Sequence, residues 1–192
     1  MNKLFFTIAL TVLAFTLSNA QTKNEVIKTI SISESVVNWK GSMLFSFGGH
    51  YGTVNFKDGT LKFNSGKLTG GTFIVDMTTM VNTDGGFNEG LMDHLKNEDF
   101  FNVPKYPSAT FVITEIEQLK EGNLRITGDL TIKGKTKSVF AEAKLDKTNN
   151  KFETRLKIDR TDWDIIYGAK GHVNIKDYAI SDAIELEVEV KY

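Results

Sequence analysis

The sequence contains no cysteine, only two prolines and three histidines, and its formal net charge is −1. The missing cysteine excludes disulfides, thiolate nucleophiles, cysteine-ligated metals and a cysteine-borne lipid anchor. The near-neutral balance, with no cluster of Lys and Arg, offers nothing to nucleic acid or to an anionic membrane surface. His50, His94 and His172 stand in no HxH or HExxH spacing, so no metal motif is present. There is no GxSxG elbow, phosphate-binding glycine loop or EF-hand loop, and the DGG at 84–86 lacks the later ligands of a calcium loop. No cofactor, no metal and no catalytic residue are therefore expected, and the chain is not read as an enzyme.

Long apolar runs are scarce too. One occurs at residues 4–17, after Lys3 and before the small residues Ser18, Asn19 and Ala20. That is the pattern of a secretory signal peptide over residues 1–20, and the run is shorter than the ~20 residues a membrane span needs. The expectation is an exported chain, periplasmic or secreted, without a transmembrane segment. Removing 20 of the 192 residues leaves 172, enough for one domain, residues 21–192, with its own core.

Short β-rich runs fill most of that domain after a polar lead-in at 21–28. They are predicted at 30–47, 53–56, 60–63, 67–78, 109–119, 123–133, 137–146, 151–159 and 180–190, separated by turn-forming pairs such as Asp58 with Gly59, Ser65 with Gly66, and Lys133 with Gly134. Several runs alternate with period two, as in Leu124, Ile126 and Gly128 against Arg125, Thr127 and Asp129. One face is buried and the other wet. Eight or more such strands must stack as two sheets or close on themselves, and an eight-strand barrel leaves room for packing or for one slender ligand. A single short helix is predicted from Asn88 or Glu89 to Asn97, with Leu91, Met92 and Leu95 at helical spacing.

The stretch HLKNEDFFNVPKYPSATF at 94–111 joins a helix end, paired phenylalanines and both prolines to a strand start. Pro104 and Pro107 forbid continuation of the helix, so the segment reads as a lid or plug turning into a strand. Together with SVVNWKGS and HYGTVNF at 35–56, GDLTIKGKTKSV at 128–139 and IDRTDWDI at 158–165, it resembles the YceI-like family. GKLTGGTFIVDMTTM at 66–80 sits where that family has an acidic strand, with Asp76 at the acidic position. The resemblance implies an all-β fold: a single antiparallel lipocalin-like barrel of about eight strands, with one short helix in a connection. It also implies a long-chain isoprenoid or fatty amphiphile (a polyisoprenoid, fatty acid or fatty amide) held inside. Asp164 follows Trp163 where the family usually has glycine, and 168–177 is individual to this chain.

Ligand-binding candidates are Trp39, Phe56, Phe63, Phe73, Met77, His94, Phe111, Ile113 and Trp163. Eleven phenylalanines and two tryptophans lie outside the first twenty residues, and each methylene they shelter from water contributes ~0.8 kcal/mol. His94 has two readings: a histidine favoured by the helix dipole near a C-terminus, or a polar group for a ligand headgroup. Asp76, Asp159 and Arg160 could do acid-base work or bind an anion, whereas the structural reading has Arg160 tying strands or closing a barrel end. The alternatives to a carrier are a structural or stress-related interaction module with a filled barrel, and an envelope enzyme acting on a lipid. A homodimer is left open.

Overall fold

The computed structural model describes residues 24–44, 48–85, 88–170 and 179–192; the expected signal peptide, His172 and the end of the first predicted strand fall outside them. Period-two alternation becomes nine antiparallel strands: β1 (Glu25–Thr29), β2 (Val36–Met43), β3 (Gly49–Asn64), β4 (Lys67–Asn82), β5 (Ser108–Gln118), β6 (Asn123–Ile132), β7 (Lys135–Asp146), β8 (Lys151–Asp159) and β9 (Ile180–Lys191). Their order is β1-β3-β2-β9-β8-β7-β6-β5-β4, and β3 also pairs with β4, which closes the sheet. β1 pairs with Thr60–Asn64 of β3 and β2 with Gly49–Asn55, end to end along one edge. The ring therefore has eight positions, as an all-β barrel of about eight strands requires. One helix, α1 (Glu89–Lys96), lies between β4 and β5.

Two sequence expectations need correction. Residues 53–56 and 60–63 are not separate strands, because the chain runs on through a bulge at Lys57 and Asp58 inside β3, with Gly59 paired to Phe73, rather than turning. Asp58 Oδ1 accepts from the Gly59 N–H at 2.7 Å. A Cβ at Gly59 would lie 2.8 Å from Ile30 Cδ1 and 3.1 Å from Phe73 Cδ1, so this glycine permits close approach instead of reversal. The predicted strand beginning at Ile30 is interrupted by a 3-10 turn, Ile32–Glu34, while part of the supposed lead-in is β1.

Inward-facing aromatics meet at the waist of the barrel. Phe73 stacks on Phe111 with centroids 6.5 Å apart and on Phe152 at 6.1 Å, and Phe56 tilts against it at 6.0 Å. On one side of this layer the barrel is filled by Leu61, Phe63, Leu68, Ile113, Leu124, Leu145 and Val190, all at most 7% exposed. Small residues make the rings fit. A Cβ at Gly128 would stand 2.3 Å from Phe111 Cζ and 2.7 Å from the Val112 carbonyl oxygen.

β7 and β8 pair only from Glu142 to Asp146 on β7. Beyond that the two strands part, and a 3-10 helix, Arg160–Trp163, packs against β7. Trp163 is 1% exposed and donates its indole N–H to the Leu130 carbonyl at 3.3 Å.

Gly128→Ala should destabilise the barrel by about 1–3 kcal/mol through overpacking, read as a lower urea midpoint. Adding Phe111→Leu should recover part of that loss but not all, since the Val112 carbonyl stays in place. Equal stability of wild type and Gly128→Ala would contradict the packing described.

Candidate functional site

Above the phenylalanine layer the barrel is hollow, with a cavity of about 450 Å³. Phe56, Phe73, Phe111 and Phe152 form its floor; β2 and β9 supply wall residues from Val37 to Met43 and from Ile180 to Val188. Six residue steps on β2 at about 3.3 Å make about 20 Å of strand, or about 15 Å down the axis at the usual barrel tilt. The walls are aliphatic and aromatic, and the polar Thr154 is occupied, its hydroxyl donating to the Glu142 carbonyl at 2.8 Å.

The cover is built by the 94–111 segment and the chain before it. The Asn88 side chain caps α1 by accepting from the Leu91 N–H at 3.0 Å, which turns Leu91 and Leu95 onto the cavity and buries Met92. After the helix, Asn102 takes a left-handed conformation (φ 48°) and the Tyr106 N–H donates to its carbonyl at 2.9 Å. This fold-back sets Phe100 and Phe101 over the void. Lys96 Nζ donates to the Thr78 carbonyl at 2.9 Å, and the Met77 N–H to the Pro107 carbonyl at 3.0 Å, fastening cover to wall.

That wall is itself irregular. Between Asp76 and Val81 the β4 register slips against β3. Asp76 Oδ1 accepts from the Thr78 N–H at 3.0 Å and hydroxyl at 2.6 Å. The slip carries both Met77 and Met80 inward, where they border the cavity. The Thr78 hydroxyl, opposed by burial and helped by the Thr78 N–H and the Lys57 charge, holds the Asp76 carboxyl below the ordinary value of 3.8. Asp76 thus shapes the wall and points away from the void.

Arg160 is 1% exposed and borders the cavity beneath Phe100, whose centroid lies 5.7 Å from its guanidinium carbon. It donates to three carbonyls, Ile165 at 2.6 Å, Ser181 at 3.1 Å and Ile180 at 3.4 Å, with Asp182 Oδ1 at 3.7 Å. Burial pulls its pKa below the ordinary value, opposed by the Asp182 and then the Asp159 carboxylate. Asp159 instead accepts from the Thr161 N–H at 2.9 Å and caps the 3-10 helix. Asp76, Asp159 and Arg160 therefore do not converge. Asp164, at the position of the family's glycine, holds the glycine-like left-handed conformation (φ 56°, ψ 34°) and pairs with Lys135.

Of the sequence candidates, Trp39, Phe56, Phe73, Met77, His94 and Phe111 border the cavity. His94 stands in the last turn of α1, edge-on to Tyr167 at 4.4 Å and to Phe100 at 5.1 Å, with Nε2 3.6 Å from Asp99 Oδ2. Phe63, Ile113 and Trp163 are placed elsewhere, which corrects their assignment to the lining. Phe63 tilts against Tyr192 at 5.5 Å in the filled end, Ile113 lies opposite Gly71 and Gly128 below the floor, and Trp163 is spent on Leu130. Alternation predicts the face of a strand but not the depth along it. Val37, Ile184, Leu186 and Val188 were missed; their alternation was legible, but nothing in it separates lining from filling. His50 meets the rim, its Nδ1 2.6 Å from Asp84 Oδ2. Asn82, then His50, hold the Asp84 carboxyl below its ordinary value by hydrogen bonding. Among the described residues no three His, Asp or Glu side chains gather as a metal site.

The sequence pattern of the YceI-like domain matches residues 29–192. Protein YceI of Escherichia coli is 42% identical over 97 residues, 50% of this chain and 48% of that protein. A UPF0312 protein of Shewanella denitrificans is 36% identical over 92 residues, 48% and 47% of the two chains. The chain spans about half the length of the curated relatives it matches. Among solved structures, BcnA of Burkholderia cenocepacia superposes with a TM-score of 0.69 at 20% identity, over 84% of this chain and 98% of that one. The YceI protein of Campylobacter jejuni gives 0.50 at 20% identity, over 98% and 96%. At such identity these two likenesses concern the fold alone.

Arg160→Met should lower unfolding free energy by about 3 kcal/mol, because three carbonyls, that of Ile165 fully buried, lose their donor, and Arg160→Lys should not restore it, since one ammonium cannot span them. Urea titration reads both variants, and a Lys variant as stable as wild type would refute the three-carbonyl account. Acid titration tests Asp76. Its folded-state value is depressed, so its contribution is full above 3.8 and lost as pH falls through the lower folded value. The gap in urea midpoint between wild type and Asp76→Asn should therefore be present at neutral pH and close in acid; a gap independent of pH would remove the carboxylate from the bulge's stability.

Proposed function

The chain belongs to the YceI-like domain family, and from that premise we propose that it is an exported binding or carrier protein that holds one long-chain apolar ligand in its barrel. A polyisoprenoid, fatty acid or fatty amide fits the description. The observation that carries this reading is the cavity of about 450 Å³, walled by aliphatic and aromatic side chains, within the ~300–1,000 Å³ range of ligand pockets.

Ten methylenes moved from water into such walls contribute about 8 kcal/mol. Against this stands the loss of translational and rotational freedom, at least ~4 kcal/mol. Length of tail sets affinity, and the few polar groups around the void select among ligands. The filled-barrel alternative describes only the half below the phenylalanine floor. Turnover of the ligand has no support in the side-chain geometry, because Asp76, Asp159 and Arg160 are engaged in holding backbone and His94 packs between rings. Export rests on the signal-peptide pattern of residues 1–20, with a periplasmic or secreted destination.

Native mass spectrometry of the purified protein, followed by organic extraction, should reveal a co-purifying lipid, and the protein should bind the fluorescent polyene cis-parinaric acid. Ile184→Trp, which places a larger ring in the void, should weaken that binding about tenfold or more, equivalent to 1.4 kcal/mol, while leaving a cooperative unfolding transition. An apo mass together with no parinaric acid binding would sink the reading.

A further inference from the structure

The cavity has a bottom that cannot give way. Phe111 is the half-buried ring of the layer and borders the void, with the buried rings of Phe73 and Phe152 behind it. The flanking strands hold these rings from the side. A Cβ at Gly128 on β6 would overlap the Phe111 ring, and one at Gly59 on β3 would stand 3.1 Å from Phe73 Cδ1. Underneath, Leu61, Leu68 and Ile113 are buried, and Leu61 and Ile113 close over Gly71 so tightly that a Cβ there would lie 3.1 and 3.3 Å from their methyl carbons. A ring pushed downward by a ligand would strike side chains that already fill the space, and a close-packed interior resists such overpacking.

From this layer to the rim, the β2 wall from Val37 to Met43 gives about 15 Å of depth. A saturated chain advances about 1.25 Å per carbon when extended, from C–C bonds of about 1.52 Å at angles of about 111°. About 12 carbons therefore reach from rim to floor. Up to that length each carbon exchanges water for apolar wall. Carbons beyond it have no wall to meet, and they stay in water or force the chain to coil.

Resting on the binding function above, we propose that Phe111, backed by Phe73, is the residue that sets tail length in this site: it stops an inserted chain after about 12 carbons, so the barrel gains nothing from the remainder of a longer tail. The selection is steric. A shorter tail leaves the bottom of the void empty and forgoes contact with the floor. Wall residues such as Ile184 touch a tail of any length, whereas Phe111 is met only by its last carbons, and for that reason one floor ring alters length preference where a wall residue alters affinity alone.

Saturated fatty acids from octanoic to octadecanoic, each below its critical micelle concentration at pH 8, test this by displacing cis-parinaric acid from the purified protein, with the affinity of parinaric acid measured for each variant. In the wild type every added carbon should tighten binding about fourfold as far as about 12 carbons, after which the increments vanish. Phe111→Ala frees the space of one ring and should carry that break to longer tails by about two to four carbons. Leu124→Ala opens a hole in the filled end, where Leu124 lies opposite Gln118 and Ala143, and should leave the break in place. If Phe111→Ala lacks a cooperative urea transition, Phe111→Leu carries the test with an expected shift of about one or two carbons. A break unmoved in the Phe111 variants, or moved as far by Leu124→Ala, overturns the length-setting role. So does a wild-type affinity that climbs about fourfold per carbon all the way to octadecanoic acid; in each of these cases the binding function stands. If neither parinaric acid nor any fatty acid binds, the binding function fails and the length-setting role with it.

Discussion

The contact on which the rest of this barrel depends is the stacking of Phe73 between Phe111 and Phe152, with Phe56 tilted against it. A closed eight-position barrel has a girth set by strand number and stagger, and four rings in one layer span it. That layer divides the interior into two regions of different physics. Below it, full-sized aliphatic side chains interdigitate and stability is made. Above it, residues of similar size stand around a void. The rings take this place because glycines at 59 and 128 remove the Cβ atoms that Phe73 and Phe111 would strike.

The cover over the void is held by polar groups that carry out backbone tasks. Arg160 gathers three carbonyls from the segments following β8 and entering β9, and Lys96 and the Pro107 carbonyl fasten the helix and its following loop to β4. Of these, Arg160 is one of the residues that look chemical in the sequence. Each is drawn into closing one end of a barrel, where chain reversals leave carbonyls without sheet partners.

Much of this was legible beforehand. The all-β class, the closed antiparallel barrel and the single helix followed from period-two alternation, helical spacing at Leu91, Met92 and Leu95, and the family resemblance. The misreading at Asp58 and Gly59 has a physical cause: a glycine that admits a neighbouring side chain and a glycine that reverses the chain are the same letter. The site was legible by face but not by depth. Phe111 and Ile113 point inward from one strand, yet the floor passes between them, and no local pattern in β5 says where the rings of β3, β4 and β8 will meet it. Asp76 was readable as special and misleading as to why, since the bulge it stabilises is set by two threonines two and three residues later.

An unfilled void is a sizeable sacrifice in a protein interior. At about 24 cal/mol per Å³, a cavity of 450 Å³ forgoes roughly 11 kcal/mol of packing, as large as the net stability of a typical domain. Substitutions as ordinary as Ala141 or Ala109 to a larger aliphatic residue would recover part of it. The surplus must come from the filled half and from the closed ladder of strands, which is consistent with a division of labour along the axis. A chain that keeps such a void withholds packing from its own fold at the place where the proposed carrier role would use it, since the same walls can shelter an apolar tail from water.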